Sequence, residues 1–177
     1  GPASPGARIA ERPFAAYRAR LTTFQGQRRL RVLDFLPRVG IDASGWSDER
    51  LDDAFDSYVV AYEAAWRSFP DAESCLGELR HVATVAVLSN GDQGQQERKI
   101  SRTGLGRYID VVLTSDRLGV AKPDPRVFVL ACSRLGVPPH AAVYVGDRLE
   151  VDAVAAAAAG LRGLWLTRQG GAGPPGV

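Results

Sequence analysis

The apolar positions divide the chain into two regions of different character. Up to about residue 69 they recur at spacings of three and four, the period of an amphipathic helix. We predict one helix from Phe14 to Phe24, a second that ends before Pro37, and a third that Ser47 begins as N-cap. The third carries an apolar stripe of Leu51, Phe55, Tyr58, Tyr62, Trp66 and Phe69. We interpret its aromatic part as the core of the helical region rather than a substrate site.

From about residue 72 onward, short apolar runs alternate with helical stretches. The runs are rich in β-branched residues and predict strands at 82–88, 111–113, 142–145 and 161–166. Helices are predicted between them at 95–103, 125–135 and 151–159, each followed by a glycine that can end it. Strands that alternate with helices across short loops predict an α/β fold, a Rossmann-like parallel sheet with helices on both faces.

The pattern divides the chain into four segments. The sequence contains no methionine and opens with Gly1-Pro2, so we interpret residues 1–6 as a tag remnant or linker. Residues 7–70 form the helical region, and residues 71–168 form the α/β core. Residues 169–177 are rich in glycine and proline, which predicts a flexible tail.

The composition of the chain limits the classes of molecule that it could bind. The formal net charge of +2 is too small a bias to favour nucleic acid or an anionic membrane surface. No apolar run approaches the ~20 residues that a membrane-spanning helix needs. The two cysteines show no metal-binding spacing, and Cys132 lies in an apolar run that predicts a buried thiol. We therefore expect a cytoplasmic protein that binds neither nucleic acid nor membranes.

Polar residues follow three of the predicted strands, where a parallel sheet binds its ligands. Ser89, Asn90 and Gly91 form one such group, and a hydroxyl beside glycine amides can hold phosphoryl oxygens. Lys122 adds a compact positive charge. Asp147 and Asp152, five residues apart, offer carboxylate oxygens for Mg²⁺. A phosphate and a magnesium ion in one site predict phosphoryl transfer.

Three of these runs together resemble a known family. They are similar, in order, to the second, third and fourth motifs of haloacid-dehalogenase-like (HAD-like) hydrolases. The runs are Leu88-Ser89-Asn90-Gly91, Ala121-Lys122-Pro123-Asp124-Pro125, and Val145-Gly146-Asp147 with Asp152. The resemblance covers about residues 72–168. It implies a phosphatase-type member that acts on a small phosphorylated metabolite, with the helical region as its cap.

The resemblance also implies a role for each matching residue. Ser89, Asn90 and Gly91 would contact the transferring phosphoryl group. Lys122 would steady both the nucleophile and the phosphoryl charge. Asp147 would be a magnesium ligand, and Asp152 would bind the ion or orient its waters.

The first motif of the family has no counterpart in the sequence. That motif places two aspartates two residues apart, at the end of a central strand that precedes the cap. The first aspartate forms an aspartyl phosphate and the second is the general acid/base. The nearest imitation here is Asp34, which we interpret as a surface residue of a cap helix. We therefore expect these 177 residues alone to be inactive, and their exposed sheet edges to be filled by self-association or strand exchange.

Other interpretations compete with this one. Ser89 could instead cap the following helix, and Asp152 could serve only the dipole of its helix. A non-catalytic HAD-like pseudoenzyme that binds a ligand or partner stays open as the alternative function. Haloacid dehalogenation uses an aspartate nucleophile without metal, so the pair Asp147 and Asp152 argues against it. A two-component receiver domain would need its acidic pair early and its lysine last, the reverse of the order here.

Overall fold

The computed structural model describes residues 12–13, 15–17 and 21–168. It divides into two compact units, residues 1–66 and residues 67–177. The predicted linker at 1–6 and the predicted tail at 169–177 lie outside the described residues. Within the part of the chain that the structure describes, no helix is long and apolar enough to cross a membrane.

The first unit is helical. Its described elements are helix α1 (Phe24–Phe35), a 3-10 turn (Leu36–Val39) and helix α2 (Asp48–Ala64). The Thr23 hydroxyl accepts the Gly26 N–H at 2.9 Å and begins α1. Ser47 begins α2 by accepting the Arg50 N–H at 3.3 Å, as predicted. The two helices share a core of Val32, Leu51 and Phe55.

Two helix predictions in this unit are wrong in part. The chain bends at Leu21, which is 81% exposed, because Thr23 starts a new helix two residues later. Phe14 lies outside the described residues. Helix α2 ends at Ala64, before the predicted stop at Pro70. The aromatic stripe is core only in part, since Phe55 and Trp66 are buried, whereas the other aromatic side chains are exposed, namely Tyr58, Tyr62 and Phe69.

The second unit alternates helices with parallel strands. Its elements are α3 (Ala72–Leu79), β1 (Ala86–Ser89), α4 (Gln93–Arg102), a 3-10 turn (Leu105–Tyr108), β2 (Val111–Thr114), α5 (Ser115–Leu118), α6 (Arg126–Leu135), a 3-10 turn (Pro139–Ala141), β3 (Val143–Gly146), a π-helix (Leu149–Val154), α7 (Ala155–Ala158) and β4 (Arg162–Trp165). The α/β class with parallel strands is confirmed.

The strands form two pairs rather than one sheet. β1 pairs with β2 and β3 pairs with β4, both in parallel. Among the described strands, β1 and β3 do not pair with each other. β1 is also shorter than predicted, because the amides of Val82 and Ala83 donate to the Leu79 carbonyl and extend the end of α3. Val82 is consequently 82% exposed.

A single apolar cluster contacts both strand pairs. Its buried centre comes from α6 and α7: Val127, Phe128, Ala155 and Ala156. Leu88 of β1 and Tyr144 of β3 pack against it. The other face of the β3–β4 pair is open, with Val143, Val145 and Leu164 exposed by 56%, 53% and 37%. Burial on one face therefore holds the two pairs on a common core.

Gly163 marks a close approach of backbone to backbone in this unit. A methyl group there would lie 2.1 Å from the backbone oxygen of Ala153, in the π-helix above the strand. Such a contact forces the backbone to shift. Gly163→Ala should therefore lower the free energy of unfolding by about 2 kcal/mol or more, measured by urea titration.

Gly106→Ala is the matched control for this change. A methyl group at Gly106 meets its nearest neighbour, Ile100 Cγ2, at 3.8 Å, which is an ordinary contact. Its effect should stay within about 0.5 kcal/mol. Equal losses in the two variants would show that the close approach at Gly163 does not limit the fold.

Candidate active site

The carboxyl end of β1 carries the residues that the sequence predicts to bind a phosphoryl group. Ser89 is the last residue of β1, and α4 begins after Asp92, whose carboxylate accepts the Gln95 N–H at 2.7 Å. Asp92 is thus the cap of α4, and the interpretation of Ser89 as that cap is wrong. No described residue hydrogen-bonds to the Ser89 side chain, so its hydroxyl can serve a ligand.

Asn90 joins this strand end to the segment that carries the lysine. Its side-chain amide donates to the Lys122 carbonyl at 2.7 Å, and its side-chain oxygen accepts the Lys122 N–H at 2.8 Å. The two bonds fix the backbone on both sides of the Lys122 Cα atom. The structure therefore gives Asn90 a positioning role that the motif alone did not reveal.

The Lys122 ammonium is buried between two polar partners. Its Nζ atom lies 2.6 Å from Asp152 Oδ1 and 2.7 Å from the Tyr144 hydroxyl. The side chains of Lys122 and Asp152 are only 11% and 4% exposed. Burial by itself lowers the pKa of Lys122, but the contacts with Tyr144 and Asp152 outweigh burial and raise this pKa above its usual value. The lysine is therefore positively charged at neutral pH.

Asp152 is held from both sides. One carboxylate oxygen pairs with Lys122, and the other accepts the Arg148 N–H at 3.0 Å. It lies within the π-helix and directly over Gly146, where a methyl group would come within 2.3 Å of the Asp152 Cβ. Because its oxygens face a buried ammonium, Asp152 does more than favour the dipole of a helix.

Asp147 lies apart from this cluster. The residue is exposed, and its backbone oxygen accepts the Trp165 indole N–H at 3.1 Å. Among the described residues, no side chain pairs with its carboxylate, and no group of three or more His, Cys, Asp or Glu could hold a metal ion. Magnesium takes one or two protein carboxylates and completes its shell with phosphate and water, so Asp147 alone fits such an ion in part.

Tyr144 is the site residue that the sequence analysis missed. Its hydroxyl contacts Lys122, and it lies 3.0 Å from the Leu88 carbonyl at the end of β1. A signal for it existed in the sequence, since a tyrosine within an apolar strand needs a polar partner for its hydroxyl. The pKa of Tyr144 is raised, first by burial, so its hydroxyl is neutral and keeps its proton at pH 7.

The sequence as a whole is similar to one known protein family. A family model of haloacid dehalogenase-like hydrolases matches residues 5–160. The chain belongs to this family. The match includes the helical unit as well as the segments that carry Ser89, Lys122 and Asp152.

Individual relatives include phosphatases and a dehalogenase. The chain is 32% identical to a phosphoserine phosphatase of Thermus thermophilus over 84% of its own length and 58% of the relative's. It is 38% identical to a glyceraldehyde 3-phosphate phosphatase of Methanopyrus kandleri, over 58% of the chain and 46% of that relative. A solved dehalogenase structure covers 93% of the chain at a TM-score of 0.72 and 26% identity, and 71% of that structure is matched. The chain thus spans about half the length of these curated relatives.

The ion pair between Lys122 and Asp152 should be essential for stability. Asp152→Asn removes the negative partner and leaves a buried ammonium without a counter-charge. We expect this variant to lose roughly 3–5 kcal/mol of unfolding free energy at pH 7, measured by urea titration.

The exposed pair between Asp34 and Arg38 provides the matched control. Its side chains are 44% and 57% exposed, which confirms that Asp34 is a surface residue of a helix. Asp34→Asn should cost less than about 1 kcal/mol. If Asp152→Asn proves as mild, the Lys122 ammonium is not buried as described.

Proposed function

We propose that this protein is a phosphohydrolase that acts with Mg²⁺ on a small phosphorylated metabolite. The observation that carries the proposal is the buried Lys122 ammonium, which Asp152 holds charged and which Tyr144 joins to Leu88, the residue before Ser89. A fixed positive charge next to a hydroxyl suits a transferring phosphoryl group, because electrostatic positioning supplies most of the catalysis in phosphoryl transfer. The related phosphatases support the same chemistry.

The proposed roles follow from the environment of each residue. Ser89 donates its hydroxyl to a phosphoryl oxygen, and Gly91 adds a further contact to the same phosphoryl group. Lys122 balances phosphoryl charge. Asp147 would hold the magnesium ion, which neutralises phosphate charge when bound. Asp152, with both oxygens already engaged, serves Lys122 rather than the ion.

The nucleophile is the part that these 177 residues do not provide. We infer that it belongs to a segment encoded upstream, because the sequence has no pair of aspartates two residues apart. The helical unit would then be the cap that selects the substrate. The pseudoenzyme alternative makes the opposite prediction, that no added segment confers turnover.

An activity assay separates these two functions. These 177 residues alone should not hydrolyse an aryl phosphate in the presence of Mg²⁺, whereas the chain extended by its natural upstream segment should. In the extended chain, Lys122→Ala and Asp147→Asn should each lower kcat/KM more than tenfold, about 1.4 kcal/mol of transition-state stabilisation.

Asp116→Asn, at an exposed position of α5, is a suitable control and should keep wild-type kinetics. An inactive extended chain would favour the binding protein. Robust turnover by the 177 residues alone would refute the proposed location of the nucleophile.

We also propose that the free strand edges are filled by a second copy of this chain. β1 and β3 each lack a partner on one side within the described residues, and unpaired strand edges favour pairing with another chain. Direct closure of β1 onto β3 would shift the covering helices by about 4.8 Å and disturb the shared core. The open face of β3–β4 adds apolar surface to the same region.

Light scattering across a concentration series tests this association. The chain should form dimers or larger species, and Val145→Lys on the open strand face should shift it toward the monomer. Val60→Lys changes a valine that is 70% exposed in the helical unit and should have no such effect. A chain that is monomeric at all concentrations while remaining folded would contradict the proposal.

A further inference from the structure

Tyr144 lies where the two strand pairs meet. Its ring packs edge-on against buried Phe128, with the ring centroids 5.0 Å apart and an interplanar angle of 83°. Its hydroxyl reaches three polar groups, namely Lys122 Nζ at 2.7 Å, the Leu88 carbonyl at 3.0 Å and Asp152 Oδ1 at 3.5 Å. The ring is thus fixed by packing while the hydroxyl takes part in the polar cluster.

The direction of each hydrogen bond follows from the groups involved. An ammonium only donates, so the Tyr144 oxygen must accept from Lys122. The single hydroxyl proton is then available for another acceptor. The Leu88 carbonyl is closer than the Asp152 oxygen, so it is the better acceptor. The resulting chain of hydrogen bonds runs from Lys122 through Tyr144 to the last part of β1.

We propose that Tyr144 is a positioning residue that holds the Lys122 ammonium toward the carboxyl end of β1. A lysine side chain has a flexible four-carbon stem, and the backbone bonds from Asn90 do not fix its tip. Tyr144 and Asp152 fix the tip from two directions. Because Leu88 directly precedes Ser89, the same hydroxyl sets the position of the ammonium relative to the serine.

This inference deepens the proposed function, on which its chemical purpose rests. An ammonium has three protons to donate, and Tyr144 and Asp152 accept two of them. The third is left for a phosphoryl oxygen. A preorganised donor needs no rearrangement when charge develops on the substrate.

The two lysines of the chain make a direct test possible. Lys99 and Lys122 are the only lysines, so protein labelled with ¹³C and ¹⁵N at lysine gives two sets of NMR signals. In the wild-type chain the two Hε protons of Lys122 should have distinct shifts, and its ammonium protons should exchange slowly enough to be observed. Tyr144→Phe keeps the ring but removes the hydroxyl. The Hε shifts should then merge and the ammonium signal should be lost.

Tyr108→Phe is the matched control, since it removes a hydroxyl that lies 2.9 Å from Glu73 in the same unit. It should leave the Lys122 signals unchanged, and Lys99 signals should be constant in both variants. Unchanged Lys122 signals in folded Tyr144→Phe would overturn the proposal.

If Tyr144→Phe does not fold, a measurement on the wild-type protein tests the proposal instead. A nuclear Overhauser effect between the Lys122 Hε protons and the Tyr144 ring supports the contact, and its absence overturns the proposal. None of these measurements needs turnover. If the NMR signals show that Lys122 is held by Tyr144 but the extended chain has no phosphatase activity, the phosphatase proposal is refuted and the positioning role of Tyr144 stands.

Discussion

The structure of the site depends on the compensation of one buried positive charge. An ammonium that leaves water loses several kcal/mol of solvation unless a counter-charge and hydrogen-bond acceptors replace the water. Asp152 supplies the charge and Tyr144 supplies a further acceptor. These two requirements explain why Gly146 is a glycine, because a side chain there would collide with Asp152. They also explain why the helix after β3 opens with a π-turn that places Asp152 inward.

The polar groups around the Lys122 ammonium also connect the β1–β2 pair to the β3–β4 pair. β1 and β3 share no backbone ladder among the described residues, and their common apolar cluster is not directional. Polar contacts, which are directional, determine how the two strand pairs are oriented. Asn90 ties the end of β1 to the lysine segment, and Tyr144 ties β3 back to Leu88. Packing against α6 and α7 thus holds the strand pairs together, while hydrogen bonds set how their ends are aligned.

Periodicity was sufficient for the order of the four strands and for where each strand ends, but it did not predict helices α3 and α5. Three predictions that depend on chemistry visible in the sequence are confirmed. They are Ser47 as a helix cap, the buried Cys132 thiol, and the parallel pairing of the short β-branched runs. The predicted ends of helices and strands were wrong where a local hydrogen bond competed with the periodicity of apolar residues. Thr23 started a new helix inside an apolar period, and the Leu79 carbonyl held Val82 in a turn. The sequence indicates that Tyr144 needs a polar partner but not which one, because Lys122 and Leu88 lie far from it along the chain and meet it only after folding.

The two acidic residues that follow β3 have separate environments, and this bears on the choice between related chemistries. A dehalogenase and phosphatases both resemble the chain, so the fold does not choose between them. Asp152 is committed to Lys122, a pairing that either chemistry can use. Asp147 is exposed, and no described side chain neutralises its carboxylate. A carboxylate in that state repels a phosphate unless a cation lies between them, so in the proposed site Asp147 would fit a metal ion that binds together with the substrate. Asp147 is therefore the residue that favours the phosphatase.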